Sequence, residues 1–371
     1  MNETDWKDEP EPLLLISPEG QEKVPERFEK ALHAALQGHA YLRIPDFAGQ
    51  ASAHGFKGKR VLFAISLEEG GIHRGLPGML GCMRTHPGCL AGAVGGILVD
   101  GQEELYTKSV GREVVLAASL AGCTFPGRPL VEGTGSLRNM TVQARLAKCS
   151  LEDAYQRAAS DLVARILDFS PHRCEHPKLL VLHASSRSTS NTLALWSRVR
   201  DRLKASCDLQ EIGLRNGTLE DCAGCPYTMC LHYGEKGDCF YGGVMVRDVY
   251  PAVREANALV LLCPNYNDAL SANLTAAINR LTALYRAVPF TDKAVFAIIV
   301  SGYSGGDIVA CQVISALNMN KGFWLPPNFC LTETANDMGT AIALPGIDGR
   351  LEEFAENLRN CIASTRKNTL A

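Results

Sequence analysis

The sequence predicts an α/β protein made of two doubly wound, five-stranded parallel sheets. Three observations carry this. First, short and nearly continuous apolar runs alternate with longer segments of helical period, the pattern of covered parallel strands and their crossover helices. Second, the runs form two series, one in each half of the 371 residues. Third, landmarks of the two series keep steady offsets. Leu13 faces Leu179, Val61 faces Val260, Gly101 faces Gly302 and Pro126 faces Pro326. The offset is about 166 at the first strand and about 200 at the last, as expected of an internal repeat with one insertion.

In the first half, strands are expected at 13–17 (LLLIS), 41–45 (YLRIP), 60–66 (RVLFAIS), 95–101 (GGILVDG) and 128–135 (RPLVEGTG). Helices are expected at 24–37, 75–83, 112–122 and 151–169. In the second half, KLLVLHAS (178–185) opens the sheet. Leu195, Trp196, Val199 and Leu203 then recur with helical spacing behind a Ser190 or Asn191 cap. Strands follow at 208–214, 258–264, 294–302 and 329–334, with helices near 244–256, 271–285, 312–320 and 349–364. The domains read as an acidic tail (1–12), a first copy (13–169), a Pro-containing linker (170–177) and a second copy (178–371). Only the second copy carries a cysteine-rich insertion, at 218–243.

A net charge of -3 gives no clustered cation surface for nucleic acid. No apolar run reaches the length of a membrane span. The opening MNETDWKDEPEP lacks the basic and apolar regions of a signal peptide and reads as a solvated tail. Many of the 14 cysteines are unclustered, and Cys82, Cys123, Cys263, Cys311 and Cys330 lie in apolar surroundings. They read as small core residues in a reducing cytoplasm.

The segment HASSRSTSNT (183–192) has a strand end, a hydroxyl-rich turn and a helix start. Amides at a helix N-terminus attract anions. Ser185, Ser186, Ser188, Ser190 and Thr192 add hydroxyls, and Arg187 adds a permanent charge. Neither GxGxxG nor GxxxxGK[ST] is present, so the pattern suits a single phosphate; an ordinary capped polar loop is the bland alternative. The matching loop of the first copy, SPEGQEKVPERF, carries carboxylates that would repel a phosphate.

The second cluster is CAGCPYTMCLHYGEKGDC, with Cys222, Cys225, Cys230 and Cys239 spaced C-x2-C-x4-C-x8-C. Zinc knuckles favour paired CxxC units, and only Cys222 and Cys225 form one. Iron–sulfur clusters use four thiolates, often in one compact run. Cluster, zinc and unliganded thiols all remain open on spacing alone.

These two stretches, followed by CPNYNDALSANLTAAINR (263–280) and VSGYSGG (300–306), resemble in order the NADPH-dependent FMN reductases, and within them the iron–sulfur flavoprotein branch. The resemblance covers about half the chain, from roughly Lys178 onward. It implies a flavodoxin-like fold with FMN at the strand ends. Ser185, Arg187, Ser190, Asn191 and Thr192 would fall on the phosphate loop. Pro264, Asn265, Tyr266 and Asn267 would line the isoalloxazine, and Gly302, Tyr303, Gly305 and Gly306 would form a third flavin loop. Asn279-Arg280 stands where relatives usually carry Asp-Arg. The cysteine run falls where that branch holds a [4Fe-4S] cluster, although its second and third cysteines are more widely spaced than usual.

The expected function is an FMN-dependent oxidoreductase or electron carrier coupled to a cysteine-bound [4Fe-4S] cluster. NAD(P)H is the expected co-substrate, and a redox protein or small molecule the expected acceptor. No acid/base pair stands out; Asp268 and Tyr303 are the groups nearest that role. The alternatives are an FMN or quinone reductase with structural zinc in the loop, and a non-enzymatic binding module. The first copy is expected to be degenerate and without cofactor, because its loops SLEEGG (66–71) and DGQEE (100–104) are acidic. It would serve as an internal partner in a pseudo-dimer, or the chain would form a homodimer.

Overall fold

The computed structural model describes residues 11–20, 24–51, 55–185 and 190–364. The chain divides into two compact units, Met1–Phe169 and Ser170–Ala371.

The first unit holds strands β1 (Leu13–Ile16), β2 (Tyr41–Ile44), β3 (Arg60–Leu67), β4 (Val94–Gly101) and β5 (Leu130–Gly133). They form one sheet in the order β2-β1-β3-β4-β5, and every pairing is parallel. The second unit repeats this with β6 (Lys178–His183), β7 (Asp208–Gly213), β8 (Ala258–Pro264), β9 (Ala294–Ser301) and β10 (Cys330–Thr334), in the order β7-β6-β8-β9-β10. All its pairings are parallel too. Numbered within each unit, both orders read 2-1-3-4-5, the flavodoxin-like topology.

Composition explains the layers. β3, β4, β8 and β9 are buried almost throughout, because helices cover both faces of a parallel sheet. In the first unit the helices Glu26–Leu36 and Leu151–Asp168 lay Phe28, Leu32, Leu162 and Ile166 against Leu13, Leu15, Leu62 and Leu98. Burying each such side chain contributes about 1.5–3 kcal/mol.

The ladders confirm the repeat and correct its register. The bridge Val94↔Thr124 recurs as Ala294↔Trp324. Leu14 pairs Val61 and Leu180 pairs Leu259, so Val61 corresponds to Leu259 rather than Val260. Ile97 pairs Leu130 and Ala297 pairs Cys330, so Gly101 corresponds to Ser301 rather than Gly302.

Strand boundaries agree with the sequence within a few residues. Helices differ more. The helix expected from 112 begins at Thr107, and helices Thr141–Ala147 and Tyr227–Glu235 were not anticipated. The helix near 244–256 opens as a π turn, Met245–Val249, before Tyr250–Glu255. Residues 170–177 are tied to the second unit. The Cys174 N–H donates to the Ile362 carbonyl at 3.1 Å, and the Ser364 N–H donates to the Cys174 carbonyl at 3.0 Å.

Candidate functional site

In the second unit the chain leaves β6 for β7 on one side and returns to β8 on the other. Crossovers diverge at such a switch point and leave a crevice at the strand C-terminal ends. A cavity of about 1080 Å³ lies there. It is lined by Ser185, Ser190, Asn191 and Thr192 after β6, by Pro264, Asn265, Tyr266 and Asn267 after β8, and by Gly302 and Tyr303 after β9. Arg187, Ser186 and Ser188 lie outside the described residues. Among the described lining residues Asp268 is the one that carries charge.

The turn after β6 is held by its own polar groups. Half-buried His183 donates from Nδ1 to the Ser185 carbonyl at 3.0 Å, and burial pushes its pKa below the usual histidine value. Ser190 caps the helix Asn191–Leu203, its Oγ accepting from the Leu193 N–H at 3.5 Å. Ser190 Oγ also lies 3.1 Å from Ser185 Oγ and 3.0 Å from Thr192 Oγ1. Three hydroxyls therefore converge on one helix N-terminus, whose first turn has no carboxylate. Asn191 is engaged elsewhere. Its Nδ2 donates to the Ala335 and Asp337 carbonyls, at 3.2 and 2.9 Å, and its Oδ1 accepts from the Ala341 N–H at 3.2 Å. It ties the loop after β10 to the site and has little left to offer a phosphate.

The loop after β8 is a tight turn. Tyr266 and Ala269 pair across it, and Asn267 and Asp268 both have φ 55. Two central residues with positive φ define a type I′ turn, which Asn and Asp tolerate better than most. Gln312 fixes it from behind, donating to the Asp268 carbonyl at 2.8 Å and accepting from the Leu270 N–H at 2.9 Å. Asn265 Nδ2 reaches Asp268 Oδ1, Ser301 Oγ and the Ser304 carbonyl, at 3.2, 3.1 and 2.9 Å. Gly305 and Gly306 do not line the cavity. Gly305 has φ 85, and a Cβ there would collide with the Asp268 carboxylate, so it closes the back of the loop.

Among the cavity-lining residues, two buried side-chain oxygens lack an internal partner: Asn265 Oδ1 and Ser271 Oγ. A buried polar atom without a partner is costly unless a ligand or water meets it. Neutral hydroxyls, amides and glycine backbone at a helix N-terminus suit a phosphate and a flat polar ring, so the residues present fit FMN. Tyr266 and Tyr303 are 62% and 84% exposed and stand at the cavity mouth. Sequence reasoning missed Ser271, Asn216, Asn273, Asn336 and Met338, which also line it. Only the helix start at 271 offered a signal for any of them.

The cysteines lie along a second cavity, of about 270 Å³. Cys222, Cys225, Cys230 and Cys239 line it with Tyr227, Tyr233, Tyr241, Arg280 and Arg286. The Tyr241 hydroxyl is held above its usual pKa by desolvation first and then by the neighbouring Cys225 sulfur. Tyr250 is pushed up by burial and then by Cys239. Among the described residues no three His, Cys, Asp or Glu side chains converge on a single metal ion. The expected cluster and the expected zinc are thus not carried by ligand geometry; what the fold supplies is four thiols around one cavity. The helix Ala272–Ala287 lines both cavities, through Asn273 at one end and Arg280 and Arg286 further along.

The class that the fold defines is a flavodoxin-like domain, here with a polar cavity at its strand ends. Residues 177–337 match the family model of the NADPH-dependent FMN reductases. No curated protein sequence matches the chain. Among solved structures, the chain is similar to an NAD(P)H:quinone oxidoreductase from Methanothermobacter marburgensis (13% identity, 50% of this chain and 94% of that one, TM-score 0.36). It is also similar to a flavodoxin, WrbA-like protein from Agrobacterium tumefaciens (12%, 50% and 99%, TM-score 0.32). A third is an NADH:FMN oxidoreductase, EMOB, in apo form (13%, 51% and 92%, TM-score 0.35). Among the described residues no helix is long and apolar enough to cross a membrane.

Proposed function

We propose that the second unit binds FMN and passes electrons from NAD(P)H to a small-molecule or protein acceptor. One observation carries the reading. Residues from the loops after β6, β8 and β9 converge on a single cavity in which Asn265 Oδ1 and Ser271 Oγ await a partner. Bound FMN supplies the redox chemistry, taking up two electrons and releasing them together or singly. The chain's own residues bind and orient. Ser185, Ser190, Thr192 and the amides opening their helix hold the phosphate, with Arg187 as the charge partner. The Tyr266–Ala269 turn and Gly302 offer a narrow wall to the ring, and Tyr303 shields the mouth from water. Titration of the apo-protein with FMN, followed by flavin fluorescence, tests this. Arg187→Ala should weaken binding about tenfold, the scale of one lost charge-assisted hydrogen bond. Unchanged affinity would remove this loop from the phosphate site.

The finer part of the proposal is that the cysteine cavity holds a [4Fe-4S] cluster that exchanges single electrons with the flavin. Four thiols on one cavity support it, as does the shared helix. Asn273 and Arg280 are about 10 Å apart along that helix at 1.5 Å per residue. Iron and acid-labile sulfide in anaerobically purified protein test it. Cys225→Ser should lose iron and keep FMN; zinc without iron in the parent protein would replace the cluster with a structural metal.

A further inference from the structure

The cysteine cavity holds two guanidinium groups whose charge has no carboxylate partner among the described residues. Arg280 is 3% exposed. Its terminal nitrogens donate to the Gly242 carbonyl at 2.7 Å and the Glu220 carbonyl at 3.5 Å, and its Nε has no partner. Arg286 lies with Cζ 4.5 Å above the Tyr227 ring, and its Nε is likewise buried and unpartnered. Neither forms an ion pair with Asp or Glu among the described residues, although surface arginines such as Arg198, Arg202 and Arg350 do. A buried cation is costly unless an opposite charge meets it. The cavity that both line offers four thiols and no carboxylate. Neutral thiols would leave the buried Arg280 charge uncompensated, with half-buried Arg286 beside it.

We infer that Arg280 and Arg286 are the counter-charges of a polyanionic centre held by Cys222, Cys225, Cys230 and Cys239, and that they raise its affinity for an electron. This rests on the cluster reading. Four thiolates on a [4Fe-4S] core of charge 2+ total two negative charges, which two guanidinium groups balance. One added electron brings the total to three, and nearby cations favour that more negative state. Net charge and hydrogen bonding around the sulfurs are established levers on such potentials. Arg280 also fixes backbone, so its replacement perturbs the loop. Arg286 makes no hydrogen bond to the cysteine loop and is the cleaner probe.

The experiment uses the full chain, purified without oxygen, with FMN content as the folding control. Iron and sulfide are assayed, and the midpoint of the centre is read by spin resonance during titration with dithionite, which supplies the electron. In Arg286→Gln, iron, sulfide and FMN should persist while electron affinity falls about tenfold, a drop of ~59 mV for a one-electron couple. Arg286→Lys, which keeps the charge, should stay near the parent value. An unchanged midpoint in Arg286→Gln with iron retained overturns the inference and leaves the cluster reading standing. If Arg286→Gln loses its iron but keeps FMN, rescue by Arg286→Lys supports the role in charge balance, and failure of rescue overturns it. A parent protein without iron and sulfide, zinc-loaded or empty, overturns the cluster reading and this inference together, before any variant is made.

Discussion

The two units share one topology and differ in what stands at the strand ends. In the second, the helix after β6 opens with Ser190, Asn191 and Thr192 and no acid in its first turn, and a wide cavity lies above it. In the first, the helix after β1 opens after Pro25 with Glu26 and Glu29, and no side chain caps it. Arg27 from that helix reaches across the sheet. Its Nε and one terminal nitrogen donate to the Asp100 carboxylate, at 3.1 and 3.0 Å. Its terminal nitrogens also donate to the Gly101 and Gly135 carbonyls, each at 2.7 Å. The acidic loops are tied down as well. Glu103 accepts from the Gly70 N–H at 3.1 Å, and Glu104 from the Ser136 N–H at 2.7 Å. One sheet order therefore stands below a cavity in one unit and below the Arg27–Asp100 ion pair in the other, although Ser66 Oγ and Glu68 Oε1 there are buried without a partner. Backbone topology provides a crevice; side chains decide whether it stays open.

The comparison breaks most sharply at Arg27. Asp100 is fully buried, and Arg27 is the cation that meets it. Arg27→Leu should cost the first unit about 3–5 kcal/mol, the scale of leaving one buried charge unpaired. Urea unfolding should show the loss in that unit's transition, with FMN binding by the second unit unchanged. The loss should shrink as pH falls. Burial already holds the Asp100 pKa above its ordinary value despite Arg27. A carboxyl whose folded pKa is raised contributes stability that is fully present below its unfolded pKa, about 3.9, and is lost as pH rises through the folded value. Without Arg27 that rise is larger, so the variant and the parent should converge in acid. Equal losses at pH 4 and pH 8 would remove Asp100 from the explanation.

A second, smaller break lies in the open unit. Gly305 combines φ 85 with close approach of the Asp268 carboxylate. Alanine there must adopt a left-handed backbone and displace the turn that positions Asn265. Gly305→Ala should weaken FMN binding by tenfold or more, about 1.4 kcal/mol, with a smaller effect on overall unfolding. Gly217 offers the matched control, with φ 80 and no atom within 4 Å of an added Cβ. Gly217→Ala carries the backbone strain without the collision, so equal effects on FMN would mean that strain alone matters.

The sheets were legible in the sequence, and their contents only in part. The run ALVLLCP is β8 residue for residue, because a parallel strand buried on both faces leaves an apolar run that needs no partner to be recognised. Ser185, Ser190 and Thr192 were legible for a similar reason, since cap and turn chemistry is local. Three things were not. Asn191 falls on the expected phosphate loop, but its partners, Ala335, Asp337 and Ala341, lie more than a hundred residues away. Arg27 and Asp100 are separated by 73 residues, and nothing local announces their pairing. The helix Tyr227–Glu235 has no strong apolar stripe; it packs on the helix Ala272–Ala287 through the close approach of Gly234 to the Ala283 carbonyl, which sequence periodicity does not encode. Local chemistry was readable where it acted locally, and long-range polar pairing was invisible.

The mildest test asks how much of the contrast between the two helix starts comes from a single hydroxyl. Ser190 caps its helix and lies within hydrogen-bonding distance of both Ser185 and Thr192, whereas the first unit has Pro25 at the corresponding place. Ser190→Ala removes the cap, which costs about 1 kcal/mol of stability. It also frees Ser185 and Thr192 to rotate. FMN affinity should fall about threefold to tenfold, since the amides and the other two hydroxyls remain. Ser190→Asn, which retains a capping oxygen, should recover the stability and not the affinity, because its longer side chain cannot repeat the contact with both neighbours. If asparagine restores both, Ser190 acts only through the helix cap, and the phosphate site depends on backbone amides that any well-capped helix would present.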